Sequence, residues 1–113
     1  MNTNTQFIYQ YRDAANYKVF DIVIIRGVFS LFDIEEYLYE KDFFVPSEIG
    51  LKDLQPKKLT HDDHIWHAIF EISYTKEKPT VNISAEEIVL NFNRAFSEEW
   101  NILEASKRLG LLV

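Results

Sequence analysis

The sequence predicts an α+β fold, with one antiparallel sheet of three to five strands and two or three helices packed mainly on one face. Residues 7–28 contain two apolar arms joined by the polar octet 11–18, which is typical of a β-hairpin. Residues 64–74 alternate in polarity as a strand does, and a helix start signal precedes periodic apolar positions in residues 85–96. The chain has 113 residues, 47% of them hydrophobic, and is predicted to be a single domain over residues 1–113.

The hairpin is expected to seed the sheet. β-Branched and aromatic residues fill both arms, and Asp13 and Asn16 suit the turn between them. The second arm, residues 17–26, is so crowded with apolar side chains that we expect it at the centre of the sheet, covered on both faces. The polar residues 1–5 are expected to form a frayed tail.

The segment after Gly27 is predicted to be helical. Ser30 is a suitable cap for a helix over residues 31–41, with Asp33 at the third helical position. Residues 42–46 are aromatic and end at Pro46, which indicates an edge strand or a segment tucked under the sheet. One helical turn is expected over residues 47–51 before Gly50 breaks it, followed by a loop over residues 52–60.

The second half of the chain is predicted to contain another strand and two helical segments. Strict alternation in residues 64–74 would place Trp66, Ala68, Phe70, Ile72 and Tyr74 on one face of that strand. A short strand is expected over residues 80–83, and Ser84 with Glu87 then forms a capping box. A further helical segment is expected from Ser97 to Gly110. The apolar end, residues 111–113, is expected to dock on the domain or to mark a partner surface.

Composition argues against several classes of function. A net charge of −6 and a pI near 5.0, with only 12 Lys and Arg residues, argue against direct nucleic-acid binding and favour a protein partner with a basic surface. The absence of cysteine excludes disulfides, zinc-thiolate sites and cysteine nucleophiles. No signal peptide or membrane-length apolar run is visible, so we expect a cytoplasmic protein without membrane association. Phosphate-binding loops and nucleophile elbows are also absent from the sequence.

The hairpin octet offers one candidate ligand site. Arg12, Asn16 and Lys18, together with Tyr11, present hydrogen-bond donors that suit a small anionic ligand. This hypothesis requires both basic side chains on the same side of the hairpin. In the alternative interpretation, Asp13 and Asn16 bond the turn backbone while Arg12 and Lys18 pair with nearby carboxylates.

The histidines offer a second candidate site. All 3 histidines of the protein lie within residues 61–67, where His61, Asp63, His64 and His67 are suitable ligands for a divalent metal ion. The hypothesis predicts a metal-binding domain or a metal-dependent enzyme in which these side chains converge. In the alternative interpretation the aspartates shape the loop, His64 bonds near the strand start and His67 is a half-buried sheet residue. Strand geometry favours the structural interpretation, because His64 and His67 would point to opposite faces.

The octet YRDAANYK with the following apolar strand, and the later segment DDHIWH, resemble a pattern found in small prokaryotic proteins of uncharacterised function. The resemblance covers about a third of the chain and implies a compact prokaryotic domain. It assigns no activity and no site residue.

These observations favour a non-enzymatic protein-interaction module, of the accessory, inhibitor or immunity type, that binds a partner through an acidic aromatic surface. A metal-binding or metal-dependent enzyme domain that uses residues 61–67 is the first alternative. A small anionic-ligand pocket at the hairpin is the second alternative. The sequence does not predict the oligomeric state or a catalytic residue.

Overall fold

A computed structural model describes residues 3–56, 59–60 and 63–110, and it confirms the α+β class. Four strands form one antiparallel sheet in the order β2-β1-β4-β3. The strands are β1 (Asn4–Arg12), β2 (Lys18–Ile25), β3 (Phe43–Phe44) and β4 (His67–Thr75). The described α-helices are α1 (Leu31–Ile34), α2 (Pro46–Ile49), α3 (Ala85–Ser97) and α4 (Ile102–Arg108). None of these helices is long and apolar enough to cross a membrane.

The predicted hairpin forms, but its second arm is not at the centre of the sheet. β1 pairs with β2 on one side and with β4 on the other, so β2 lies at an edge. Alternate β2 residues, such as Val23 and Ile25, enter the core, whereas Phe20 and Ile22 on the other face are exposed. The crowding of apolar residues therefore reflects one buried face and a second face that is open at Phe20 and Ile22 but covered at Ile24.

The prediction of a frayed tail over residues 1–5 is wrong for Asn4 and Thr5. Both residues belong to β1 and are buried, because their polar side chains bond the backbone of Gly27. Thr5 Oγ1 donates to the Gly27 carbonyl at 2.7 Å, and Asn4 Oδ1 accepts from the Gly27 amide at 3.1 Å. Residues 1 and 2 lie outside the described residues.

A β-bulge in β4 breaks the alternation that the sequence predicts. Phe7 lies opposite Ile72 and Tyr9 lies opposite Ile69, so two steps along β1 match three steps along β4. Ile69 and Ile72 consequently both pack against the core, and Phe70 is exposed. The predicted grouping of Phe70 with Ile72 on one face is wrong for this reason.

The helix predicted over residues 31–41 is much shorter. Asp33 Oδ2 accepts from the Ser30 amide at 2.8 Å, as the cap predicts, but α1 ends at Ile34 and a 3₁₀ turn follows over Glu35–Tyr37. The chain then reverses direction, and Tyr39 exchanges backbone hydrogen bonds with Phe43 at 2.7 and 2.9 Å. Packing explains the reversal, because the Tyr39 ring stacks on Trp66 with centroids 4.2 Å apart.

Of the remaining local predictions, the edge strand, the helix end at Gly50 and the capping box are confirmed, and the strand over residues 80–83 is wrong. β3 is the expected edge strand, and α2 ends at Gly50, whose φ of 95° is one that glycine adopts readily. Ser84 and Glu87 form the expected capping box of α3, with bonds of 3.1 and 3.2 Å. Residues 80–83 form no strand, and Thr80 instead bonds both backbone groups of Ile24 at 2.9 Å.

An aromatic ladder connects the sheet to the helices. The Phe44 ring lies 6.0 Å from Phe7, 5.7 Å from Tyr9 and 5.7 Å from Phe92 of α3, measured between ring centroids. Phe92 in turn contacts Trp100 edge to face at 5.7 Å. All five side chains are fully buried or nearly so, and they form the centre of the core.

Candidate functional site

The hairpin turn is built by Asp13 and Asn16. The Asp13 side chain accepts from the Tyr17 amide at 2.8 Å, and the Asp13 carbonyl accepts from the Asn16 amide at 3.0 Å. Asn16 has a φ of 70°, a left-handed conformation that asparagine tolerates better than most residues. The expectation that the Asp13 side chain bonds the turn backbone is confirmed, but the same expectation for Asn16 is wrong, because among the described residues Asn16 takes part through its backbone amide and conformation.

Tyr11 and Asp63 join the end of β1 to the loop before β4. The Tyr11 hydroxyl donates to Asp63 Oδ1 at 2.5 Å and accepts from the His64 amide at 3.2 Å. The ring of Tyr11 is fully buried. Burial, and then the hydrogen bond to the Asp63 carboxylate, raises the pKa of Tyr11, so its hydroxyl stays protonated and keeps donating.

His67 is a buried, neutral residue of β4. Its Nε2 accepts from the Leu54 amide at 2.9 Å, so the proton is on Nδ1, which donates to the Ile65 carbonyl at 3.2 Å. The side chain is 1% exposed, and desolvation lowers its pKa to about 3. His67 was predicted to be half-buried, but it is almost completely buried because it faces the core side of the sheet.

The described histidines do not converge on a metal ion. His64 accepts from the Trp66 amide at Nδ1 and contacts the Arg12 carbonyl at Nε2, at 3.0 and 2.7 Å. Both nitrogens of His67 are likewise bonded to backbone. Within the described ranges no group of three or more His, Asp or Glu side chains is arranged to hold a metal. His61 lies outside the described residues.

Arg12 and Lys18 meet the geometric condition for an anion site. They are direct partners in the β1–β2 register, so their side chains leave the same face of the hairpin, and both are exposed. No ion pair joins either cation to another described residue. Tyr11 alternates to the opposite face, where it is buried, and therefore lies apart from these two cations.

A shallow cleft lies next to Arg12 and Lys18, and residues of both candidate sites line it. Its volume is about 300 Å³. Arg12 and Asp13 from the hairpin line it together with His64 and His67 from the other candidate site. The remaining lining residues are Gln10, Ala14, Phe43, Trp66 and Ala68. The sequence reveals each group of residues, and the pairing of β1 with β4 joins them in one cleft.

The open face of the sheet, defined here by Phe20, Ile22 and Phe70, was missed by sequence reasoning. These side chains are 47%, 56% and 59% exposed, and the rings of Phe20 and Phe70 contact edge to face with centroids 5.1 Å apart. The alternation of Phe20 and Ile22 in β2 is a signal for such a face, but the crowding of apolar residues in this arm predicts burial on both faces instead. Phe70 joins them because of the β4 bulge.

No family model, no curated protein and no solved structure matches this chain.

The burial of His67 predicts a specific pH dependence of stability. Its pKa of about 3 in the folded protein lies below the ordinary value of 6.5, so above pH 6.5 the ring is neutral in both states and its contribution is complete. As the pH falls toward 3, the unfolded state gains a proton that the folded state lacks, and about 1.4 kcal/mol is lost per pH unit. We expect His67→Gln to remove about 2 kcal/mol of the stability loss between pH 7 and pH 5, measured by urea unfolding. Identical pH slopes in the two proteins would contradict this interpretation of His67.

The Tyr11 hydroxyl is predicted to stabilise the fold. Tyr11→Phe removes a hydrogen bond to a carboxylate, and we expect it to lower the free energy of unfolding by about 2 kcal/mol. Tyr17→Phe is the matched control, because Tyr17 is 60% exposed and its change should stay within about 0.5 kcal/mol. Chemical denaturation of both variants measures the difference, and equal stabilities would show that the Tyr11–Asp63 contact contributes little.

Proposed function

We propose that this protein is a non-enzymatic protein-interaction module that binds its partner through the open face of the sheet. The observation that carries the proposal is the bare apolar patch formed by Phe20, Ile22 and Phe70, on the side of the sheet away from the core. An antiparallel sheet that faces water on one side normally presents polar side chains there. An apolar patch on that face instead favours a contact with another molecule.

The side chains of the open face suit a protein partner. Aromatic residues are enriched in the centres of protein interfaces, and Phe20 and Phe70 already hold each other in place by an edge-to-face contact. Charged residues border the patch, with Arg12 and Lys18 at the hairpin end and Glu71 beside Ile8 on the neighbouring strands. A patch with an apolar centre and a charged rim has the usual anatomy of an interface.

The described polar groups give little support to catalysis. The ring nitrogens of His64 and His67 are engaged with backbone groups, and the Asp63 carboxylate accepts from Tyr11 and from the Thr60 amide. A general base needs a free nitrogen or oxygen directed toward substrate. The structural roles of these side chains therefore favour a binding function.

We further propose that this is a prokaryotic, cytoplasmic protein of the accessory, inhibitor or immunity type. The sequence resemblance supports a prokaryotic origin. A chain of 113 residues without cysteine has no need of an oxidising compartment.

Removal of the aromatic pair should abolish partner binding. In a pull-down from a lysate of the source cells, we expect wild-type protein to retain one stoichiometric partner and Phe20→Ser with Phe70→Ser to lose it. Truncation of residues at the centre of an interface typically costs about 2 kcal/mol or more for each residue.

Leu90→Ser is the matched control, because Leu90 on α3 is 60% exposed and lies away from the open face. Partner retention by this variant, with unchanged far-UV circular dichroism in all proteins, would support the proposal. Repeated failure of the wild-type protein to retain a stoichiometric partner would contradict it, as would equal retention by the aromatic double variant.

A second candidate function is the binding of a small anionic ligand at the hairpin end. The specific observation in its favour is the placement of Arg12 directly opposite Lys18, although like charges at such positions normally destabilise a sheet. An anion between the two side chains would remove the repulsion. The adjacent cleft of about 300 Å³ has room for a small molecule.

Thermal shift measurements test the anion site. We expect inorganic phosphate or citrate to raise the melting temperature of the wild-type protein, because a ligand that binds only the folded state stabilises it. Arg12→Ala should abolish that rise, whereas Arg26→Ala, a change of the same charge outside the hairpin end, should retain it. An unchanged shift in Arg12→Ala would contradict an anion site at this position.

A further inference from the structure

We infer that a groove between residues 38–40 and the junction of α3 with α4 binds a basic amphipathic segment of a partner protein. This groove, called the junction groove below, is on the helical side of the molecule. The inference builds on the proposed function in assuming a protein partner, but it uses a different surface from the open face.

The junction groove has an apolar floor. Its volume is about 620 Å³, which accommodates several side chains of a bound segment. Phe96 and Ile102 are 49% and 38% exposed, and the buried residue Trp100 lines the groove with them. Tyr37 packs on Phe96 with ring centroids 5.9 Å apart, so the aromatic wall is held in position. Apolar side chains of this size that remain exposed in a concave surface are typical of a binding groove.

Two backbone segments beside the junction groove adopt left-handed conformations. Glu40 and Lys41 have φ values of 49° and 67°, and Glu99, Trp100 and Asn101 have values of 53°, 60° and 47°. Among the described residues other than glycine, only Asn16 shares this feature. Each such residue costs free energy, and these conformations cluster at functional sites because the surrounding structure maintains them there.

Specific contacts hold the strained junction in place. Trp100 Nε1 donates to the Tyr37 carbonyl at 3.0 Å and links the two walls of the groove. Asn101 Nδ2 donates to Glu48 and Glu98 at 2.8 and 2.9 Å. The kink brings the Trp100 ring into the core against Phe92, and it also shapes the groove surface beside it.

The charge of the junction groove selects a basic partner. Glu40 and Glu99 line it, and no lysine or arginine does so among the described residues. A neighbouring concave surface shares Glu99 and Ile102, and it adds Leu103 and Glu104. Glu40, Glu99 and Glu104 have no ion pair with another described residue, whereas Glu98 is paired with Arg94 at 2.9 Å.

A segment with lysine or arginine on one face and leucine-like side chains on the other complements both the carboxylates and the floor. A second copy of the chain complements the groove poorly, because each copy carries a net charge of −6. The partner chemistry therefore follows from the unpaired carboxylates and the apolar floor together.

The test uses two fluorescein-labelled synthetic peptides of about 14 residues, one of Lys and Leu and one of Glu and Leu in the same amphipathic pattern. Fluorescence anisotropy measures their binding to the full-length protein. We expect the Lys/Leu peptide to bind and the Glu/Leu peptide not to bind. Glu40→Gln with Glu99→Gln should weaken binding of the Lys/Leu peptide by about tenfold, because two rim charges are lost.

The control is Glu77→Gln with Glu86→Gln, which removes the same charge from exposed positions outside the junction groove. This variant should bind within about twofold of the wild-type protein, since diffuse attraction is weak in physiological salt. Equal weakening in both double variants would overturn the inference, because binding would then depend on net charge alone. A lack of binding to the Lys/Leu peptide would also overturn it, as would a dimer in sedimentation analysis that strengthens when Glu40 and Glu99 are neutralised.

The peptide experiment and the pull-down test the two surfaces separately, so either proposal can fail without the other. The Phe20→Ser, Phe70→Ser double variant retains the junction groove and should bind the Lys/Leu peptide as the wild-type protein does. Loss of partner retention in that variant with intact peptide binding would support both surfaces independently. Loss of peptide binding in that variant would overturn the assignment of the peptide to the junction groove.

Discussion

The contact between Phe44 and its aromatic neighbours organises this fold. β3 is only two residues long, yet its Phe44 ring contacts Phe7 and Tyr9 of β1 on one side and Phe92 of α3 on the other. Large aromatic side chains contribute most of the buried apolar area in a small domain, so these contacts fix the distance between sheet and helices. The reversal of the chain after α1 follows from the same requirement, because it brings Phe44 into the core.

Most of the polar side chains that the sequence indicates as candidate site residues hold the hairpin end together. Tyr11, Asp63 and His64 tie the loop before β4 to β1, and His67 fixes Leu54 from inside the core. A buried polar group must be hydrogen-bonded, and here each partner is a backbone group or another member of the cluster. The described part of the histidine-rich segment therefore fastens the loop to the sheet, and the candidate residues Arg12, Asn16 and Lys18 remain exposed.

The two sides of the molecule differ, and each carries one of the two proposed binding surfaces. The helices cover one face of the sheet, so the aromatic patch of the other face remains open to a partner. Glu71 borders that patch, whereas Glu40 and Glu99 line the junction groove on the helical side, where the backbone is strained. Neither Glu40 nor Glu99 has an ion pair with another described residue.

The sequence by itself determined the features that depend on neighbouring residues. The hairpin, its Asp13 turn, the Ser84 capping box and the Gly50 helix end follow from local hydrogen bonds and backbone preferences. Only the tertiary structure decided the order of the strands, the β4 bulge, the early end of α1 and the engagement of His64 and His67 with backbone. These depend on contacts between residues distant in the chain, since which face of a strand is covered is set by what packs against it. The candidate residues were therefore visible in the sequence, whereas their division into structural locks and exposed groups was a consequence of packing.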